Sequence, residues 1–236
     1  MGMEKVAVVT GGSSGIGRAL GRAFGREGWT VWLGARRERE LEAAAREVDA
    51  AGGTGRFARL DVTDEASVAA FAETVRAASK GVHALVNNAG VGAWGRAERT
   101  SVETWRRVLD TNLTGPFLVT KAMLPLLRKA EGRRVVVNVV SVAGKQAHAG
   151  NGTYAASKFG LRGWTEALAA ELAEEGIRVT AVLPGYVATP LVDGAADPER
   201  MVQPDDLADQ VMALTKLPES LHVDELTVWP WRMYTE

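Results

Sequence analysis

Apolar residues along this 236-residue chain fall into two alternating rhythms. Short unbroken apolar runs, such as "KVAVVT" (5–10), end in glycine or a polar turn. Such runs predict strands buried on both faces of a parallel sheet. Between them lie longer stretches in which apolar positions recur every three or four residues. In "GIGRALGRAFGREG" (15–28), Ile16, Ala19, Leu20, Ala23 and Phe24 share one helical face, and Gly28 supplies the stop.

The same reading predicts further strands over 30–36, 55–63, 83–90, 133–141, 177–185 and 224–230. It predicts helices over 38–52, 64–79, 101–130, 153–176 and 204–218, with Asp64 capping the second of these. Strands alternate with helices, the connections are short, and there is no linker or repeat. This implies a single α/β domain over residues 1–236. Its expected form is a Rossmann-type, doubly wound, seven-stranded and mostly parallel sheet with helices on both faces. Such sheets bind ligands beyond the carboxyl ends of their strands, so the chemistry is sought just after each strand.

Composition narrows the field. Apolar residues make up 46% and charged residues 24%, ordinary values for a globular protein. The net charge of −1 gives no field that favours nucleic acid or an anionic membrane. Cysteine is absent, which excludes disulfides, a thiolate nucleophile and Cys-ligated metal. His83, His148 and His222 are scattered without metal-ligand spacing, so no metal is expected. No apolar run reaches the ~18 residues of a membrane span. The opening "MGMEKVAVVTGG" lacks a basic segment followed by a long apolar run, and a cytoplasmic protein is expected.

The stretch "TGGSSGIG" (10–17) lies between the first strand and the first helix. Gly11, Gly15 and Gly17 permit a tight turn and close approach to a pyrophosphate, which the helix start would receive. The second strand ends in "GARRERE", with Arg36 and Arg37 where an acid would favour NAD. Basic residues at this point accommodate a 2′-phosphate, so NADP(H) is expected over NAD(H).

Tyr154 and Lys158 are one helical turn apart and share a face. Chance gives only about 0.09 Tyr-x-x-x-Lys matches in a chain of this composition. An unperturbed tyrosine, with a pKa of about 10, is a poor base at neutral pH. A neighbouring ammonium is expected to favour phenolate and lower that pKa. Ser141 stands thirteen residues before the tyrosine.

Over nearly its whole length, the chain resembles the short-chain dehydrogenase/reductase family in its compact form. "TGGSSGIG" is similar to the family's TGxxxGxG. "DV" (61–62) matches its adenine-side acid, "NNAG" (87–90) its turn after the fourth strand, and "TNLTG" (111–115) its helix asparagine. "PGYVAT" (184–189) matches its PG-x-x-x-T. Val140 departs from the family's frequent serine pair but leaves the catalytic serine in place.

The resemblance implies a catalytic set of Asn112, Ser141, Tyr154 and Lys158, with Asn112 holding a water in a proton relay. It implies cofactor contacts from Thr10, Gly11, Ser13, Ser14, Gly15, Ile16 and Gly17. Asp61 and Val62 would flank adenine, and Asn88, Ala89 and Gly90 would lie beside the cofactor. Tyr154 and Lys158 would also meet it, as would Pro184, Gly185, Val187 and Thr189. It further implies a homotetramer or homodimer built through the helices at 101–130 and 154–175.

The substrate is read more coarsely. Trp94, His148 and Tyr186 fall on its expected side. The segment "YVATPLVDGAADPERMVQPDD" is short and carries few large apolar groups, against a steroid-sized ligand. A small polar or modestly hydrophobic carbonyl or alcohol is expected. The chain end "LTVWP" lacks the V-(N/D)-G-G segment of acyl-carrier-protein thioester reductases and looks more like the family group that oxidises 3-hydroxy acids or reduces assorted carbonyls, so a 3-oxoacyl thioester reductase is the alternative reading. An NADP-binding regulator without turnover is another. Trp32, Trp105 and Trp164 fall inside predicted elements and are expected to pack.

Overall fold

A computed structural model describes residues 4–192 and 197–233. The start of the chain and the middle of the substrate-side segment, residues 193–196, lie outside the described residues, as do the expectations drawn from them.

The chain alternates as the hydrophobic pattern predicts. Strands β1 (Val6–Thr10), β2 (Thr30–Ala35) and β3 (Thr54–Arg59) interleave with helices α1 (Gly15–Arg26), α2 (Glu38–Ala50) and α3 (Glu65–Ala78). There follow β4 (Ala84–Asn87), α4 (Val102–Leu109), α5 (Gly115–Lys129) and β5 (Arg134–Val139). The chain continues through α6 (Gly152–Ala173), β6 (Ile177–Pro184), α7 (Pro204–Leu214) and β7 (Glu225–Val228). The sheet order is β3-β2-β1-β4-β5-β6-β7. All six pairings are parallel. The chain reverses its direction of travel across the sheet between β1 and β4, and a crevice opens there.

Strand alternation sends successive side chains to opposite faces. Ala7, Val9, Val31, Leu33, Val86 and Val137 meet Leu20, Phe24, Leu41, Val48 and Val211 of α1, α2 and α7. Val6, Val8, Trp32, Leu85, Val136 and Val179 meet Phe71, Val75, Met123, Leu127 and Leu168 of α3, α5 and α6. Two apolar layers thus hold the sheet rigid from both sides. Trp32 packs as expected, and its indole N–H donates to the Ser79 hydroxyl at 3.1 Å.

Three differences from the sequence expectation matter for the site. The predicted helix over 101–130 is interrupted by a π-helical turn at Asp110–Thr114, which holds Asn112. Single π turns often mark functional positions, because they re-aim one side chain within a helix. Strands predicted to run to 63 and 90 stop at Arg59 and Asn87. That frees Asp61, Val62, Asn88, Ala89 and Gly90 to form loops at the carboxyl edge. Trp105 does not pack: it is 42% exposed.

Buried amides cross the apolar layer. Asn87 Nδ2 donates to Asn138 Oδ1 at 2.8 Å and to Thr120 Oγ1 at 2.9 Å. Asn138 Nδ2 passes the link to Thr165 Oγ1 at 2.9 Å. The ladder ties β4 and β5 to α5 and α6.

Candidate active site

The crevice at the switch point is a cavity of about 780 Å³. Its first wall is the β1–α1 loop. Gly11 has a φ of +68°, which L side chains rarely adopt, and a Cβ at Gly17 would lie 2.3 Å from the Gly11 carbonyl oxygen. The loop therefore requires both glycines. Thr10 locks it to the β4 loop, its hydroxyl accepting the Asn88 and Ala89 N–H groups, each at 3.0 Å. Asn88 Nδ2 returns a bond to the Thr10 carbonyl at 2.9 Å. Thr10 and Gly17 shape the cradle from behind, while Gly11, Ser13, Ser14, Gly15 and Ile16 line the cavity.

At one end of the cavity stand Arg36, Arg37, Asp61 and Val62. Arg37 Nη2 donates to Ser13 Oγ at 3.0 Å and to Ser14 Oγ at 2.9 Å. A guanidinium thus lies over the loop that opens α1. Burial would raise the Asp61 carboxyl, but Thr63 hydrogen bonds and the charges of Arg36 and Arg59 bring it below its ordinary value. Asn88, Ala89 and Gly90 line the middle, with Pro184, Gly185, Val187 and Thr189 opposite.

At the other end are Ser141, Tyr154 and Lys158. Ser141 follows β5, and its Oγ accepts the Ala143 N–H at 3.1 Å. Its hydroxyl hydrogen is left to donate to the Tyr154 phenol, a bond that favours phenolate. Lys158 is 4% exposed, lies 5.7 Å from the Tyr154 ring centroid, and donates to the Val139 carbonyl at 2.9 Å.

One electrostatic expectation is corrected here. Burial pushes the Tyr154 phenol above its ordinary value, and Ser141 draws it only part of the way back. Burial also holds the Lys158 ammonium down to about 7. Desolvation outweighs the expected lowering of Tyr154 by Lys158.

Asn112 is fully buried, and its side chain braces loops instead of lining the cavity. Its Oδ1 accepts the Val91 N–H at 2.8 Å, and its Nδ2 donates to the Val91 carbonyl at 2.9 Å and to Ser157 Oγ at 3.0 Å. Both amide hydrogens are thereby engaged. Ser157 in turn donates to the Tyr154 carbonyl at 2.7 Å. The π turn thus links the β4 loop to the first turns of α6.

Trp94, His148 and Tyr186 all line the cavity. Trp94 is 60% exposed and stacks on Tyr154, with ring centroids 6.0 Å apart. The structure adds Gln146, Asn151 and Trp229 to the wall, which no motif had marked. Asn151 belongs to "KQAHAGNG", a stretch without periodicity. Its place follows from a turn in which its Oδ1 accepts the His148 N–H at 2.9 Å.

His83, in contrast, lies at the amino end of β4, where its Nδ1 accepts the Val6 N–H at 3.1 Å. No His/Asp/Glu group suited to a metal occurs among the described residues. Among the same residues, no helix is long and apolar enough to cross a membrane.

The family model for short chain dehydrogenase matches residues 5–200. A 3-alpha-(or 20-beta)-hydroxysteroid dehydrogenase of Mycobacterium bovis is 38% identical over 95% of this chain and 81% of its own. An alcohol dehydrogenase from the archaeon Thermococcus sibiricus, solved with 5-hydroxy-NADP, superposes with a TM-score of 0.88. It is 31% identical, and 98% of each chain is covered. An actinorhodin polyketide ketoreductase variant, solved with NADPH, gives a TM-score of 0.87 at 34% identity and the same coverage. The chain therefore belongs to the short-chain dehydrogenase/reductase family and is an oxidoreductase of alcohol and carbonyl groups.

Proposed function

We propose that the protein interconverts a carbonyl compound and its secondary alcohol with NADP(H) as the hydride carrier. The observation that carries this reading is a single cavity with Arg36 and Arg37 at one end and Ser141, Tyr154 and Lys158 at the other. When bound, the nicotinamide supplies or accepts the hydride. The glycine loop and the start of α1 offer N–H groups and a positive dipole end to its pyrophosphate. Arg37, already directed at Ser13 and Ser14, supports 2′-phosphate binding and so NADP(H) over NAD(H). The NADP-containing relatives agree with this choice.

Ser141 holds the carbonyl oxygen and, with Tyr154, fixes its position. A raised phenol pKa keeps Tyr154 protonated, which suits it to protonate the nascent alkoxide in the reductive direction. Lys158 holds its place through Val139 and adds positive charge as it takes up a proton. Asn112 keeps Tyr154 in register through Ser157.

The cavity must hold both dinucleotide and substrate, which supports a small or modestly hydrophobic carbonyl at the reacting end. Exposed Phe117 and Phe159 on α5 and α6 support self-association through these helices, as a homodimer or homotetramer. The test is a carbonyl panel, including 3-oxoacyl thioesters and the steroid class of the mycobacterial relative, assayed with NADPH and NADH. NADPH-dependent reduction of a ketone supports the reading. NADPH binding without turnover of any compound would replace it with a regulatory role.

A further inference from the structure

A second cavity, of about 590 Å³, adjoins the catalytic one. His148 lines both. The new cavity lies between the turn at Ala97–Arg99, the start of α4 and the loop that enters α6.

Two of its wall residues are chain neighbours of residues at the reacting end of the first cavity. Thr153, the neighbour of Tyr154, is in its wall, and so is Gly95, the neighbour of Trp94. Trp94 stacks on Tyr154. The Gly95 N–H donates to the Gly150 carbonyl at 2.8 Å, so a single backbone bond clasps these two loops together.

Its wall is mainly apolar and uncharged. No Asp, Glu, Lys or Arg lines it; Ala97, Val102, Trp105 and Ala149 stand beside the polar His148 and three hydroxyls. Val102 and Trp105 are 64% and 42% exposed, so substantial apolar surface is available to a ligand. Two of the three hydroxyls already have partners: Thr100 Oγ1 donates to the Arg96 carbonyl at 3.0 Å, and Ser101 Oγ to Thr104 Oγ1 at 3.0 Å. A charged ligand would find no counter-charge here to offset the loss of its water.

We propose that this second cavity is a tail subsite, which receives the unbranched apolar end of a substrate whose carbonyl is held by Ser141 and Tyr154. The proposal rests on the carbonyl-reductase reading above and narrows its substrate class to alkyl ketones and the matching secondary alcohols. The two cavities share His148, so apolar space lies past that residue from the end where Ser141 and Tyr154 stand. A tail bound there is held alike in ground and transition states. Chain length therefore acts on KM and leaves kcat unchanged. Each methylene that leaves water should lower KM by about threefold to fourfold.

The experiment measures kcat and KM with NADPH for methyl ketones from butanone to dodecanone. It compares the wild type with Ala97→Trp and Val102→Trp, two exposed sites where a larger side chain fills the cavity. The expected result is a KM that falls with chain length in the wild type and stays flat in the filled variants, with butanone turnover unchanged. Butanone turnover also reports that each variant is folded, and two sites guard against the loss of one. A wild-type KM that does not fall, or a fall that persists in the variants, overturns the tail subsite alone. A wild type that reduces none of these ketones but turns over another carbonyl class overturns the subsite alone, and one that turns over no carbonyl compound overturns the carbonyl reading and the subsite with it.

Discussion

The Asn112 side-chain amide donates to the Ser157 hydroxyl at 3.0 Å, and that hydroxyl donates to the Tyr154 carbonyl at 2.7 Å. The asparagine of the π turn therefore reaches Tyr154, the proposed proton donor, through one intermediate residue. Its remaining bonds hold Val91, in the loop that carries Trp94. Asn112→Ala should lower kcat by about tenfold to a hundredfold, because small misplacement of a reacting group is costly. KM for NADPH should change much less. Steady-state kinetics with both substrates varied checks this split, and an unchanged kcat would remove Asn112 from the positioning role.

Asn138 lies at the centre of the buried amide ladder, between Asn87 and Thr165. Removing its side chain leaves one Asn87 amide hydrogen without an acceptor in an apolar layer, the other staying with Thr120. Asn138→Ala should destabilise the fold by about 1–3 kcal/mol. Urea unfolding of wild type and variant measures the difference. A midpoint that does not move would show that the ladder contributes no net stability.

The hydrophobic rhythm revealed the alternation of elements because parallel strands buried on both faces leave unbroken apolar runs. β1, β5 and β6 stand where "KVAVVT", "RRVVVNVVS" and "IRVTAVLPG" place them. The glycine loop was equally legible, since few residues other than glycine suit Gly11 or Gly17. The π turn was hidden. A one-residue widening leaves the apolar spacing of 101–130 almost unaltered, and only the backbone shows it. The second cavity was hidden for a different reason. Trp105 falls inside a predicted element, where packing is expected, and only tertiary packing determines that its face is open. Desolvation was also invisible in the sequence. Helical spacing puts Lys158 beside Tyr154, but the burial that shifts both groups is assembled from β5, α6 and the β4 loop.

That burial makes Lys158 a source of pH-dependent stability. Its folded pKa is about 7, and lysine in an unfolded chain titrates near 10.4. Between these values the unfolded chain holds a proton that the folded protein has shed. Stability from this group therefore rises with pH across the window, by at most about 1.4 kcal/mol per pH unit, and falls as pH drops towards 7. Lys158→Met removes the slope. Urea unfolding without added nucleotide, at several pH values between about 7 and 9, should show the wild type gaining on the variant. Parallel pH dependence of the two proteins would contradict the burial argument.

Arg37 is the residue proposed to favour NADP(H) over NAD(H). Its guanidinium is already placed over Ser13 and Ser14. Arg37→Glu should raise KM for NADPH by about tenfold to a hundredfold through loss of charge-assisted bonds and like-charge repulsion. NADH should be affected far less. The ratio of kcat/KM for the two cofactors is the measurement, and an unaltered ratio would place the 2′-phosphate elsewhere.

The central claim is that the Tyr154 hydroxyl carries the proton of an alcohol–carbonyl conversion, in a cavity that binds NADP(H) without it. Tyr154→Phe removes one oxygen and leaves the Trp94 stack, the Lys158 bond to Val139 and the glycine loop in place. NADPH binding, followed by fluorescence, should match the wild type, and reduction of any ketone the wild type accepts should fall by about a hundredfold or more. Turnover at the wild-type rate in Tyr154→Phe would contradict the account.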